Sequence, residues 1–152
     1  MIKGVMVKEL VTNNDDRGYF REIIRSTDEI FSEGFGQWSH SLMFNGIVKA
    51  WHYHNIQTDW FYVVHGVLRI GLHDLRQDSP TNGKSMDFLM GDLQSASVVK
   101  IPPGVAHGCK VIQGPASLLY ITSHTYNPLD EIRIPHDDPK INFDWLSGPP
   151  IK

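Results

Sequence analysis

Between residues 60 and 76 the chain reads WFYVVHGVLRIGLHDLR, and from Val67 onward Leu68, Ile70 and Leu72 alternate with Val67, Arg69 and Gly71. A period of two in a stretch rich in β-branched and aromatic residues predicts a strand with one face in a core. Comparable runs fall at 5–11, 19–25, 41–53, 96–101 and 117–125. Turn chemistry separates them: Asn13-Asn14-Asp15-Asp16, Asp78-Ser79-Pro80, Asn82-Gly83, Pro102-Pro103-Gly104 and Asn127-Pro128. Asn, Asp, Gly and Pro at such points supply the dihedrals and local hydrogen bonds that reverse a chain. One helix start is expected, at residues 26–31 (STDEIF), where Ser26 and Glu29 have capping-box spacing. Many short strands with frequent turns predict an all-β, antiparallel barrel or sandwich. Beyond residue 135, Pro135, Pro139, Pro149 and Pro150 predict an extended C-terminal tail strapped over the barrel, since proline cannot donate to a ladder.

Composition narrows the partners. A chain of 152 residues fits a single domain over 1–152. The net charge is -3, with no run of Lys or Arg, so neither a nucleic-acid surface nor a polybasic membrane patch is expected. No apolar stretch approaches the ~20 residues a bilayer-spanning helix needs, and the start carries no apolar leader. The single cysteine, Cys109, cannot form an internal disulfide, which suits the cytoplasm. No motif surrounds it, and a small buried role is expected.

The chemistry is densest from Gly46 to Gly66, where His52, Tyr53, His54 and Asp59 occur together. Residues two apart on a strand share a face, so His52 and His54 are expected to point the same way. A third histidine, His107, follows the turn Pro102-Pro103-Gly104. This spacing resembles the two short motifs of the cupin superfamily, jelly-roll barrels whose motifs carry histidines and a carboxylate. By that resemblance His52, His54, Asp59 and His107 are candidate ligands for Fe, Mn, Ni or Zn. His65 and His73 lie on a strand without a partner motif and are expected to be surface or structural residues.

A second pattern covers most of the chain. It comprises Asp16-Arg17-Gly18-Tyr19-Phe20-Arg21-Glu22, Gln37, Val48-Lys49-Ala50-Trp51-His52-Tyr53 and Asp74-Leu75-Arg76-Gln77-Asp78-Ser79-Pro80-Thr81. It continues through Ile101-Pro102-Pro103-Gly104-Val105-Ala106-His107-Gly108, Tyr120, Tyr126-Asn127-Pro128, Glu131 and Asp144-Trp145. In order and spacing this resembles the dTDP-4-dehydrorhamnose 3,5-epimerase family. The resemblance implies a dimeric cupin acting on a nucleoside-diphosphate-4-keto-6-deoxyhexose, with no cofactor required. It implies His52 as the base that removes a proton beside the ketone and Tyr120 as the acid that returns one. It also implies that Arg17, Phe20, Glu22, Gln37, Lys49, His107, Tyr126 and Glu131 bind substrate.

The departures from that family are specific. Lys49 stands where the family carries an arginine, and Asp59 where it carries the lysine that steadies the enolate. His54 replaces a glutamine, and the aspartate that pairs with the base near the family's C-terminal end has no obvious counterpart. Together His54 and Asp59 restore the cupin metal motif. Two further readings follow: a divalent-metal-dependent cupin acting on another small molecule, and a catalytically silent sugar-nucleotide-binding relative.

Overall fold

The computed structural model describes residues 1–93 and 96–147. Pro149 and Pro150 of the expected tail lie outside the described residues.

The described residues form ten strands: β1 Met6–Glu9, β2 Thr12–Asp15, β3 Gly18–Arg21, β4 Gln37–Met43, β5 Val48–Tyr53, β6 Asp59–Asp74, β7 Ser85–Gly91, β8 Ser97–Ile101, β9 Val105–Thr122 and β10 Ile132–Arg133. Eight form one antiparallel sheet in the order β1-β8-β6-β9-β5-β10, with β4 on β9 and β7 on β6, while β2 and β3 form a separate hairpin. The two long central strands, β6 and β9, pair along their lengths with register shifts between Val63 and Leu68. Such irregularities bend a ladder and increase its twist. They also divide the sheet: Asp59–Tyr62 continue into β8, whereas Val67–His73 continue into β7. On β9, β4 takes Ala116–Thr122 and β5 takes His107–Lys110. This is the antiparallel all-β arrangement that the pattern predicts, in the jelly-roll form that the cupin resemblance implies.

The alternation along β6 marks two covered faces rather than one. Leu68, Ile70 and Leu72 are fully buried in the central cluster with Phe61, Val99, Ile101 and Val105, each such side chain worth about 1.5–3 kcal/mol of burial. Trp60 and Tyr62, on the outer face, pack with Ile30, Val98, Ile23 and Ile24. The third cluster belongs to the tail, whose Ile141 and Trp145 bury against Trp51 and Ala106. The expected strap is therefore real through residue 147. At Gly71 a Cβ would sit 2.6 Å from Trp145 Cη2, so the strap reaches β6 only because that position has no side chain.

Several local expectations need correction. The turn expected at residues 13–16 is mostly strand: Thr12–Asp15 form β2, and the chain reverses at Asp16 and Arg17. Residues 26–31 form no capped α-helix: a 3-10 turn spans Glu29–Phe31 and Asp28, not Ser26, precedes it. The Asp28 carboxylate instead accepts from Lys8 Nζ at 2.5 Å and from the Arg25 backbone N–H at 2.8 Å. The run 41–53 is two strands, β4 and β5, joined by a turn in which the Ile47 N–H donates to the Phe44 carbonyl. Strand β9 begins at Val105, well before residue 117. Strand β7 (SMDFLMG) was missed because it has no β-branched residue. His73 is structural, buried with Nδ1 2.8 Å from Ser85 Oγ, and His65 is exposed.

Candidate functional site

Strand β5 delivers the first site residues through an irregularity. Lys49 pairs with Cys109 and His52 with His107, so three steps on β5 match two on β9. The extra residue lets Lys49 and His52 face the same interior, which strict alternation forbids. Trp51 consequently points outward, 4.8 Å centroid to centroid from Trp145. Gly108 admits this approach, since a Cβ there would fall 2.4 Å from Ala50 Cβ.

The interior is a cavity of about 370 Å³. Its walls include His52, Lys49, Tyr120, Gln37, Tyr126 and Glu131, together with His54, Gln57, Asp59, Phe61 and Arg133. Tyr120 sits on the half of β9 that pairs with β4, and His52 faces the other half, so the two reach the cavity from different walls. Phe61 lies between, 6.0 Å from the Tyr120 ring and 5.5 Å from that of His107. Tyr126 forms an exposed lip, its backbone N–H donating to Gln37 Oε1 at 2.9 Å. At the rim Lys49 Nζ donates to Ser41 Oγ, and Arg133 pairs with Glu131 at 2.9 Å.

Behind His52 lies a buried polar cluster. His54, Asp59 and His107 are 8%, 3% and 2% exposed. With His52 they place ligand atoms within 4.8 Å of one another. Asp59 Oδ2 is 3.1 Å from His107 Nε2 and 3.7 Å from His54 Nε2. His54 Nδ1 meets the Asp130 carbonyl at 3.0 Å and His107 Nδ1 meets the Val105 carbonyl at 3.0 Å. A carbonyl only accepts, so both Nδ1 atoms carry a proton. Burial, reinforced by His107, His54 and Arg133, pushes the His52 imidazole down to about 2, so it is neutral with a lone pair to offer.

Two residues of this cluster escaped the sequence. Gln57 bridges Asp59 Oδ1 at 2.7 Å and His54 Nε2 at 3.2 Å. The Asp130 carboxylate accepts the backbone N–H groups of Asn55, Ile56 and Gln57. Neither sits in a motif, and both act through contacts that spacing does not encode. Arg17, Phe20 and Glu22 are not among the residues lining the cavity of their own chain. They occupy the β2–β3 hairpin and its exit, where Arg17 pairs with Asp15 at 2.5 Å and Glu22 with Arg25. Cys109 is buried as expected, and burial pushes its thiol up to about 11.

Fold and site together define a class: a cupin-type jelly roll whose cavity presents a neutral histidine and a tyrosine from different walls. A family profile described as dTDP-4-dehydrorhamnose 3,5-epimerase matches residues 1–152, and the chain belongs to that family. The Bacillus subtilis spore coat polysaccharide biosynthesis protein SpsL is 44% identical over 148 residues, 95% of this chain and 97% of that protein. The crystal structure of a dTDP sugar isomerase from Desulfovibrio desulfuricans superposes with a TM-score of 0.90 at 28% identity, covering 97% of this chain and 94% of that one. The Legionella pneumophila dTDP-6-deoxy-D-glucose-3,5-epimerase RmlC, in complex with dTDP-4-keto-L-rhamnose, superposes with a TM-score of 0.86 at 26% identity. That match covers 97% of this chain and 81% of that one. Among the described residues no helix is long and apolar enough to cross a membrane.

Proposed function

We propose that this protein epimerises or isomerises a nucleoside-diphosphate-4-keto-6-deoxyhexose by removing and returning a proton beside the ketone. The observation that carries this is the placement of His52 and Tyr120 on different walls of one cavity. A C4 ketone acidifies its neighbouring C–H bonds, so the reaction needs a base, a stabiliser for the enolate oxygen and an acid on the other side. His52, held neutral, takes the proton. The imidazolium it becomes is disfavoured in the empty site, and the negative charge growing on the adjacent enolate offsets that penalty. Tyr120 returns a proton from the opposite wall, which inverts the carbon; from a C3–C4 enediol, return of a proton to C4 with loss of the C3 hydroxyl proton moves the ketone to C3 instead. Proton exchange is redox-neutral and calls for no electron-carrying cofactor.

The rim suits the nucleotide. Lys49 and Arg133 are the cations among the described lining residues and complement a diphosphate, while Tyr126 offers an exposed ring for a base to stack on. Arg17, Phe20 and Glu22 reach the cavity of a second copy in this reading. An outer groove of Ile23, Ile24, Trp38, Trp60, Tyr62 and Ile121 supports a homodimer, because Trp38 is 64% exposed beside it. In this reading the enzyme works in the cytoplasm, supplying a deoxysugar for polysaccharide, which a nucleotide-sugar substrate and a buried free thiol support. The test is thermal melting with dTDP, UDP, GDP or CDP. At least one at millimolar concentration raises the melting temperature, and Lys49→Ala weakens the effect and its salt dependence. No shift with any of the four contradicts the reading.

A further inference from the structure

Many of the polar side chains on the cavity wall satisfy one another. Gln37 accepts the Tyr126 N–H on Oε1 and donates through Nε2 to Ser39 Oγ at 3.0 Å. Thr122 Oγ1 donates to the His124 carbonyl at 2.6 Å, Ser41 Oγ accepts from Lys49, and Glu131 is held by Arg133. The His52 ring and the Tyr120 hydroxyl have no hydrogen-bond partner among the described residues, as suits a pair that exchanges protons with a substrate. The side-chain oxygen of Gln57 is in the same position. Gln57 lines the cavity, and its Oε1 is neither hydrogen-bonded among the described residues nor sealed inside the protein, so it opens on the cavity.

The rest of Gln57 is committed. The residue is 9% exposed. Its side-chain nitrogen lies 2.7 Å from Asp59 Oδ1 and 3.2 Å from His54 Nε2, and its backbone N–H donates to Asp130 Oδ2 at 3.1 Å. The carboxylate oxygen beside the amide nitrogen decides which way the amide is turned, with the oxygen toward the cavity. A nine-tenths buried amide oxygen calls for a donor, and on a hexose the donors are ring hydroxyls. We infer that Gln57 Oε1 accepts from the C2 hydroxyl of the sugar and makes the site selective for a 2-hydroxy hexose. This rests on the proton-transfer reading above, in which the ring lies between His52 and Tyr120. Inversion at C3 carries the C3 hydroxyl from one face of the ring to the other, and inversion at C5 does the same to the methyl group. The C2 hydroxyl keeps its place through either step. An acceptor fixed at three points suits the group that does not move, because their bond holds the ring in register while a proton leaves and returns.

The experiment measures Kd by calorimetry for dTDP-6-deoxyglucose and for its 2-deoxy and 3-deoxy forms, none of which has a ketone to react. The UDP, GDP or CDP series replaces them where that nucleotide is the one that binds. Wild type binds the 2-deoxy form about 10–100-fold more weakly than the parent, since the form without the hydroxyl leaves Oε1 unpaired. In Gln57→Met, which keeps the size of the side chain but not the acceptor, that ratio falls to within about 2-fold, while the ratio for the 3-deoxy form stays as in wild type. Gln57→Asn, which keeps the amide but withdraws it by one methylene, also loses the 2-deoxy ratio and stands in if Gln57→Met does not fold. A residue that only supported Asp59 and His54 would weaken every sugar nucleotide alike and leave the ratios intact. That result overturns the proposal, and so does a wild type that binds the 2-deoxy form as tightly as the parent. Either outcome leaves the epimerase reading standing, because the parent still binds. Failure of the parent to bind in all four nucleotide series removes both.

Discussion

The backbone carbonyl of Asp130 lies 3.0 Å from His54 Nδ1, while the carboxylate of the same residue accepts the N–H groups of Asn55, Ile56 and Gln57. One buried residue thus fixes the tautomer of His54 and the loop that leads to Asp59. It also lies beside Glu131 on the cavity wall. Asp130 is a positioning residue.

Asp130→Ala leaves three backbone donors without their acceptor and costs about 2–3 kcal/mol of stability by denaturant unfolding. Asp130→Asn, which keeps one acceptor oxygen, recovers part of that loss. If the loop is what Asp130 supports, Asp130→Ala also lowers kcat at saturating substrate, and Asp130→Asn restores part of it. Equal stability in all three proteins contradicts the assignment.

The tail and β6 are coupled through Gly71 and Trp145. Trp145→Ala removes a fully packed indole and costs about 3–5 kcal/mol. Gly71→Ala forces a methyl group into the same indole and destabilises the wild type by about 1–3 kcal/mol. In the Trp145→Ala background the Gly71→Ala penalty shrinks by more than half, because the contact at 2.6 Å is gone. A double-mutant cycle measures this, and strict additivity contradicts the packing.

Acid stability depends on Asp74. Burial pushes its carboxyl up, but hydrogen bonds from Arg76, Ser79 and Thr81 outweigh burial and hold it well below the usual carboxylate range. The folded value lies below the unfolded one, so the stabilisation is complete above about pH 5 and fades as pH falls below ~4. Wild-type melting temperature therefore drops more steeply from pH 6 to pH 3 than that of Asp74→Asn, which starts lower at pH 7. Parallel curves contradict this.

Much of the fold and half of the site were legible because they follow short-range rules. The β6 run, the Pro102-Pro103-Gly104 turn and the His52–His54 spacing each reflect a period or a dihedral preference that a few residues encode. The two-sided burial of β6 was not legible, since it depends on Trp145 returning from 74 residues beyond Gly71 to cover an outer face. Nor was Lys49 sharing a face with His52, because a bulge has no compositional mark here. The Ser26 cap failed for the opposite reason: the local signal was sound, but Asp28, tied to Lys8, took the turn instead. Gln57 and Asp130 act across the tertiary fold, and sequence spacing is silent about both.

The roles of His52 and Tyr120 separate in a pair of variants. Tyr120→Phe retains proton removal, so deuterium still enters from solvent, but net inversion falls by about 10²–10⁴-fold. His52→Ala loses both. Equal loss of exchange in the two variants contradicts the division of labour.

The most direct measurement of the central claim is deuterium uptake at C3 and C5 of dTDP-4-keto-6-deoxyglucose in D₂O, followed by NMR. Wild type incorporates deuterium at one or both carbons, and His52→Gln, which keeps the size but not the basicity of the side chain, reduces the rate by at least about 10²-fold. Wild type that leaves both positions protonated, on this and on the UDP, GDP and CDP analogues, contradicts the account.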